Sequence, residues 1–372
     1  MPTPAARSPW HSFLSAILVW TLLAACGSSA TPAPTASPTP APSAAPPTAV
    51  PTRAPLANRI GIRTTAGQAE FYDTVTGAKF TPLGANYVDF AEITPGELWE
   101  DYVFGAGTYQ PQKVRAAFQR LSQGGYNTVR MFFDLCAKGP ACIGNPSGPG
   151  LNSEFLDNMA EVMTIAGEER LYLLFTANSI PIGGQYWDRF VQQFNSSGHP
   201  GFDLFHENGN YLHAAGVAMY AQYWRDLMSG LAQRGAPFEV MLGWELQNEH
   251  WLFNERPPLS LDSGTATISN GQSYDLSDPE QKRQMVNDGI VYWMETLIGV
   301  IRKYDAQALV TVGFFPPNFP NDIKAAPEWY RDPAALLKTA PVDFWDFHAY
   351  PPAPPYIVES MKNVSENFGI IG

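Results

Sequence analysis

Between residues 80 and 350, six short apolar runs of strand length are separated by stretches whose apolar residues recur at helical spacing. The runs are Phe80–Val88, Asn127–Leu135, Tyr172–Ala177, Phe238–Asn248, Leu309–Phe315 and Asp343–Tyr350. The stretches are Gln112–Ser122, Ser153–Glu168, Leu212–Arg234, Pro279–Tyr304 and Pro333–Thr339. Apolar strands alternating with amphipathic helices predict a parallel sheet with helices on its outside. The strict repetition favours a (β/α)8 TIM barrel over a doubly wound sheet, and no G-x-G-x-x-G follows the first run to indicate a dinucleotide fold. Six strands are present where a barrel needs eight, and after one more helix candidate, Tyr356–Asn367, the chain stops at Gly372. The expectation is an incomplete α/β barrel, about six of its eight units, truncated at its C-terminal side. Ahead of it, the β-rich segment from Arg59 to Phe80, broken at Ala66-Gly67 and Thr76-Gly77, predicts an N-terminal β-hairpin or two covering one end of the fold.

The first residues have a different character. Arg7 and His11 precede an apolar segment, Phe13 to Ala25, too short to span a bilayer and shaped like the core of a signal peptide. It closes on Leu23-Ala24-Ala25-Cys26-Gly27, small residues before a cysteine, which is similar to the bacterial lipobox and makes Cys26 the candidate lipidation site. A plain secretory signal with an incidental Cys26 is the alternative. Residues 27–58 are built largely of Pro, Ala, Thr and Ser and cannot form a core, so they read as an extended, disordered linker. Residues 1–26 are thus expected to be a signal peptide, 27–58 a stalk and 59–372 the barrel domain. The expected location is extracytoplasmic, either lipid-anchored to a bacterial membrane or secreted. In an oxidising compartment Cys136 and Cys142 are expected to form a small-loop disulfide, which would contribute about 2 kcal/mol.

Charge narrows the partners. The net charge of −12 becomes −14 once the first 58 residues, which hold Arg7 and Arg53 and no acid, are set aside. Nucleic acid is not expected as a partner in that field; a neutral glycan is not repelled by it. No H-E-x-x-H, cysteine cluster or P-loop is present, so neither a metal nor a nucleotide cofactor is indicated.

In a barrel the chemistry sits at the carboxyl ends of the strands. Those ends supply Asn86, Tyr87 and Asp89, then Arg130 and Asp134, then Asn178, then Asn248 and Glu249, and finally His348 and Tyr350. Amide, guanidinium, carboxylate, imidazole and phenol at one mouth have the character of a glycan site. Cleaving a glycosidic bond requires two carboxylates, one of them protonated, beside donors for sugar hydroxyls. Trp187, Trp251, Trp329 and Tyr186 lie in apparent strand-to-helix loops, where exposed aromatic faces could stack on sugar rings; ordinary packing explains each equally well. Glu245 shares strand parity with Glu249 but lies deeper, and reads as an interior acid bonded to Arg130 or a neighbour. Asp134 and Asp346 read as members of a hydrogen-bond network.

Four segments carry a resemblance over most of residues 60–372: F-T-P-L-G-A-N-Y, G-G-Y-N-T-V-R-M-F, W-E-L-Q-N-E and D-F-H-A-Y. They resemble the retaining (β/α)8 glycoside hydrolase clan, and most closely the cellulase-like glycoside hydrolase family 5. The resemblance implies cleavage of β-linked glycan of cellulase or mannanase type, with Glu249 as acid/base and Asn248 on the sugar 2-hydroxyl. It further implies that Arg130 orients the nucleophile and that His348 and Tyr350 form the family's H-x-Y. Where the family often has a histidine after its third strand, this chain has Asn178, and Trp251 is a candidate for stacking on substrate. The nucleophile, a glutamate at the end of a seventh strand, is expected beyond Gly372; Glu366 reads as a solvated surface residue. Two other readings stand beside the hydrolase: a non-catalytic cell-surface glycan-binding lipoprotein, and an envelope lipoprotein with a structural role.

Overall fold

Ala66 and Gly67, both with positive φ, form the two-residue turn that joins β1 (Ile60–Thr65) to β2 (Gln68–Asp73) in an antiparallel hairpin. β3 (Lys79–Phe80) extends it to three strands. The computed structural model describes residues 54–92, 99–101, 103–134, 139–198, 201–204, 207–249, 252–314 and 333–348. Contacts divide the chain after Pro51, and all described residues belong to the second unit. Ala54–Asn58, at the end of the proline-rich stretch, are docked: the Leu56 amide donates to the Gly167 carbonyl at 2.9 Å, and Tyr172 Oη donates to the Asn58 carbonyl at 2.8 Å.

The remaining elements follow as β4 (Gly84–Asn86), β5 (Phe90–Glu92), β6 (Trp99–Asp101), α1 (Pro111–Gln123) and β7 (Thr128–Phe132). After them come α2 (Ser153–Glu168), β8 (Tyr172–Thr176), α3 (Tyr186–Ser197), α4 (Glu207–Leu212), α5 (Ala214–Gln233) and β9 (Met241–Glu245). The last are β10 (Thr265–Thr267), β11 (Ser273–Asp275), α6 (Pro279–Ile301), β12 (Val310–Thr311), β13 (Gly313–Phe314), α7 (Pro333–Thr339) and β14 (Asp346–Phe347). Strands β4, β7, β8, β9 and β12 form a parallel sheet in sequence order, and β13, one residue beyond β12, pairs in parallel with β14. Sequential parallel strands joined by helices are the wall of an α/β TIM barrel. Among the described residues that wall is incomplete, open between β4 and β14. A cavity of about 310 Å³ lies between these two edges, lined by Gly84, Ala85 and Asn86 on one side and Phe344, Trp345 and Asp346 on the other.

The helices bury the faces that their periodicity predicts. In α1 these are Val114, Ala117 and Phe118, and in α2 Phe155, Leu156, Met159, Val162 and Met163. Asn152 caps α2 and Asp278 caps α6 through side-chain oxygens that accept backbone N–H groups. At the other end of the strands, Ile60 and Phe71 from the hairpin sheet join Tyr172, Leu174, Leu242 and Phe344 in an apolar cluster that closes the barrel floor. Among the described residues no helix is long and apolar enough to cross a membrane.

Several boundaries differ from the sequence reading. The run Phe80–Val88 is two strands, because Pro82 lies between a residue of the hairpin sheet and the barrel strand β4. The helix expected over residues 212–234 is α5, which starts at Ala214: His213 adopts extended geometry and caps it, its Nδ1 accepting from the Ala215 amide. The break sets α4 directly against α5, and a Cβ on Gly216 would overlap the Gly209 carbonyl oxygen. The run Phe238–Asn248 begins as a 3-10 turn over Phe238–Val240 and ends as a strand at Glu245. The hairpins β5–β6 and β10–β11 are additions to the expected plan.

Candidate active site

The carboxyl ends of the strands meet around one guanidinium. Arg130 lies on β7, in register with Asn86 of β4 and Leu174 of β8. Its Nε donates to Glu245 Oε2 at 2.9 Å, and one terminal nitrogen donates to Glu245 Oε1 at 3.0 Å and to Asn248 Oδ1 at 2.7 Å. The other terminal nitrogen stands 3.5 Å from Asn86 Oδ1, and the guanidinium carbon sits 4.7 Å from the ring centre of Phe132. Glu245 is fully buried, and Thr176, its register partner on β8, donates its hydroxyl to Oε2 at 2.7 Å. A buried carboxylate is tolerable here because its oxygens are occupied and its charge is paired.

His348 closes the ring from beyond β14. Its Nδ1 is 3.1 Å from Glu249 Oε1, and its Nε2 lies 3.5 Å from Glu245 Oε1 and 3.7 Å from Asp346 Oδ2. Burial opposes charge on this imidazole, but the facing Asp346 and Glu245 carboxylates prevail and raise its pKa to about 10. At neutral pH both ring nitrogens therefore carry protons, and Nδ1 donates to Glu249. Burial pushes the Glu245 carboxyl up, against the opposing pull of His348 and Arg130. Asp346 is held below the ordinary carboxylate value: burial acts against ionisation, and His348 and Arg130 outweigh it.

Glu245, Asp346 and His348 bring one ligand atom each to within 4.8 Å of one another, a spacing open to a metal ion. The site does not suit one. Arg130, 2.9 Å from Glu245 and 3.6 Å from Asp346, already supplies the positive charge between the two carboxylates.

Asn248 and Glu249 stand three and four residues past the end of β9, so they belong to the loop rather than the strand. Their backbone is nonetheless fixed. The Asn248 amide donates to the Ala177 carbonyl at 2.6 Å, and the Gly313 amide donates to the Gln247 carbonyl at 2.8 Å. A Cβ at position 313 would overlap the Asn248 carbonyl oxygen and crowd Glu245 Oε1, so only glycine fits there. Asn178, on the turn after β8, faces Asn248 with Oδ1 3.4 Å from Asn248 Nδ2. Glu249 remains partly accessible, its side chain 20% exposed.

The structure thus brings Arg130, Asn178, Asn248, Glu249 and His348 to one mouth. Tyr350, Trp251, Cys26, Cys136, Trp329 and Glu366 lie outside the described residues. Cys142 is disulfide-bonded, with its partner likewise outside them. Tyr186 and Trp187 open α3 instead of lying in a loop. Tyr186 is buried, donating to Asp226 at 2.8 Å, and Trp187 Nε1 reaches the Ile180 carbonyl at 3.3 Å, so packing accounts for Tyr186. Thr176, Gln247 and Gly313 were not singled out from sequence. Thr176 had a signal, its place opposite Glu245 on the neighbouring strand; the other two had none that a single chain displays.

No protein-family model matches the chain, and no curated protein matches it. Among solved structures it is similar to an endo-1,4-beta-mannanase from Rhizomucor miehei, with 18% identity, 78% of this chain and 71% of that one covered, and a TM-score of 0.48. It is also similar to the exo-beta-1,4-mannosidase Op5Man5 from Opitutaceae bacterium strain TAV5, with 17% identity, 77% of this chain covered and a TM-score of 0.46; the chain spans 41% of that protein's length. A beta-glucuronidase 2 from Bacteroides uniformis shares 10% identity over 84% of this chain and 26% of its own, with a TM-score of 0.45.

Proposed function

We propose that the chain carries the acid/base half of a retaining glycoside hydrolase acting on β-linked glycan. The observation that supports it is the placement of Glu249: partly accessible at the barrel mouth, with one oxygen on His348 and its neighbour Asn248 bonded to Arg130. In this reading Glu249 protonates the leaving oxygen while a second carboxylate attacks the anomeric carbon. Glu249 then deprotonates the water that releases the sugar. Retention needs the two carboxyl groups about 5 Å apart. Glu245 does not serve as that nucleophile, since its oxygens are bound to Arg130 and Thr176 in a fully buried position. We assign the nucleophile to a second carboxylate outside the described residues.

The test uses the full-length protein. Glu249→Ala should lower turnover of natural glycan about 10²–10⁴-fold, the usual worth of general acid–base help, and should spare the first step for aryl glycosides with acidic leaving groups. Azide, which needs no deprotonation, should restore turnover and yield a glycosyl azide of retained configuration. Equal loss on both substrates with no azide effect, in a folded variant, would remove Glu249 from the acid/base role.

A second reading is glycan binding without cleavage, favoured by the state of the other described mouth carboxylates: Glu245 is buried on Arg130 and Thr176, and Asp346 lies against Arg130 and His348. Saturable binding of a glycan by the full-length protein with no product formed would decide for it. The same proposal places the protein outside the cytoplasm, anchored through Cys26. Cys26→Ser should release it from the membrane fraction, and unchanged retention would point to another tether.

A further inference from the structure

Asp134 is buried two residues past β7, and both of its oxygens serve the turn that carries Asn178. Oδ1 accepts the Asn178 amide at 2.6 Å, and Oδ2 accepts the Ser179 amide and the Tyr223 hydroxyl, each at 3.3 Å. That turn in turn grips the loop after β9. The Ala177 carbonyl accepts the Asn248 amide, the Asn178 carbonyl accepts Gln247 Nε2, and Asn178 Oδ1 faces the Asn248 side-chain amide. Tyr220, one helical turn before Tyr223 on α5, donates to Gln247 Oε1 at 3.4 Å. One face of α5 therefore braces the clamp at both ends, through Tyr223 on Asp134 and Tyr220 on Gln247.

We propose that Asp134 is a positioning residue for the Asn248-Glu249 pair: by fixing the Asn178 turn it sets where the loop after β9 presents both side chains. The proposal rests on the hydrolase reading only for its catalytic consequence; the coupling itself is a property of the structure. Among the described residues no cation appears with the groups that most shape its titration. Burial dominates them and raises its pKa to about 7, although every partner is a donor that favours the ionised form. Among the described residues the titratable side chains packed on it are Tyr223 from α5 and, behind that ring, Tyr186 from α3 paired with Asp226. Burial pushes both tyrosines well above their ordinary range, so neither titrates near neutrality.

The experiment is a pH titration of the chain labelled with ¹⁵N-asparagine, following the Asn178 backbone amide and the Asn248 side-chain amide, each assigned by single substitution. Both signals should move with one shared midpoint near 7. In Asp134→Asn that step should vanish from both. Tyr223→Phe, which removes one donor and leaves the backbone alone, should raise the midpoint of both together. It also serves if Asp134→Asn fails to fold. In full-length protein Asp134→Asn should lower kcat on glycan by up to about 10²-fold, the cost of a misplacement of roughly 1 Å, with little change in KM. An Asn248 signal that ignores the Asn178 step would overturn the inference, as would variants that leave both signals where they are. Should the full-length protein cleave no glycan, the hydrolase reading falls, and the shared titration still decides this one.

Discussion

The floor and the mouth of this barrel use opposite means to hold the same strands together. At the floor, Phe71 meets Phe344 edge-on with ring centres 5.2 Å apart, Phe80 meets Tyr172 at 5.1 Å, and Leu174 and Leu242 fill the space between. At the mouth, Arg130 ties β7 to Glu245 of β9, and His348 ties β14 to Glu249. Apolar packing tolerates small changes in shape, each costing according to the volume lost. A buried ionic network tolerates little, because removing one member leaves another charged and unpaired. The mouth is therefore the more fragile end. It is also the end where the orientation of individual polar atoms matters.

Arg130→Met puts that contrast under its heaviest load. It takes the guanidinium from the Glu245 carboxylate, buried beside Thr176, and leaves it only the protonated His348 ring 3.5 Å away, and chemical denaturation should report a loss of about 3–5 kcal/mol. The double variant Arg130→Met with Glu245→Leu should regain most of that, since no charge is then stranded. If the single variant is as stable as the parent, the network is not what holds the mouth. Phe71→Ala, at the floor, should cost about 3 kcal/mol through the cavity left against Phe344. It should also leave the Asn248 side-chain resonance unmoved, and a shift there would mean that floor and mouth are mechanically coupled.

The same contrast governs what the sequence discloses. The floor and the helix faces follow from periodicity, so the alternation of runs was enough to indicate the barrel wall. The convergence of Arg130, Asn178, Asn248, Glu249 and His348 was legible because strand order places all carboxyl ends together. Side-chain parity likewise put Glu245 in the interior within reach of Arg130. What periodicity could not show were breaks made by backbone geometry. His213 sits in an unbroken apolar pattern, yet it caps α5, and the turn there brings Gly216 against the Gly209 carbonyl. Pro82 did carry a signal for the division between β3 and β4, and Asn270-Gly271 carried one for the hairpin joining β10 and β11. Gly313 carried none, since its need for a bare backbone arises only when Asn248 is brought against it.

The pH dependence separates two parts of the mouth. His348 has its pKa raised by folding, so the stability it contributes is fully present below its ordinary value of 6.5 and is lost as pH rises toward about 10. Asp134 also has its pKa raised, but as an acid. The folded state keeps its proton longer than the unfolded chain does, so its contribution is lost as pH rises from its ordinary value of 3.8 through about 7. Thermal melts across pH should show both declines. His348→Asn should flatten the upper one and Asp134→Asn the lower. Should either variant flatten the other's window, the clamp and the network would have to be treated as one titrating unit.

The smallest effect tests whether the mouth depends on its charges or on every bond within it. Thr176 is fully buried, and its hydroxyl donates to Glu245 Oε2 at 2.7 Å, the atom that also accepts from Arg130 Nε. Thr176→Val keeps the branched shape and removes only that donor. A hydrogen bond to a charged group contributes about 1.5–3 kcal/mol, and the lower end applies where a stronger partner remains. Unfolding should therefore show a loss of about 1.5 kcal/mol, roughly half that of Phe71→Ala. The pH window of His348 should persist, since Asp346 and Glu245 both still face its ring. A loss as large as that of Arg130→Met would mean that Thr176, and not the guanidinium, sets the position of Glu245. The carboxylate would then be anchored from β8 instead of β7, and the order in which the strands hold the mouth would be reversed.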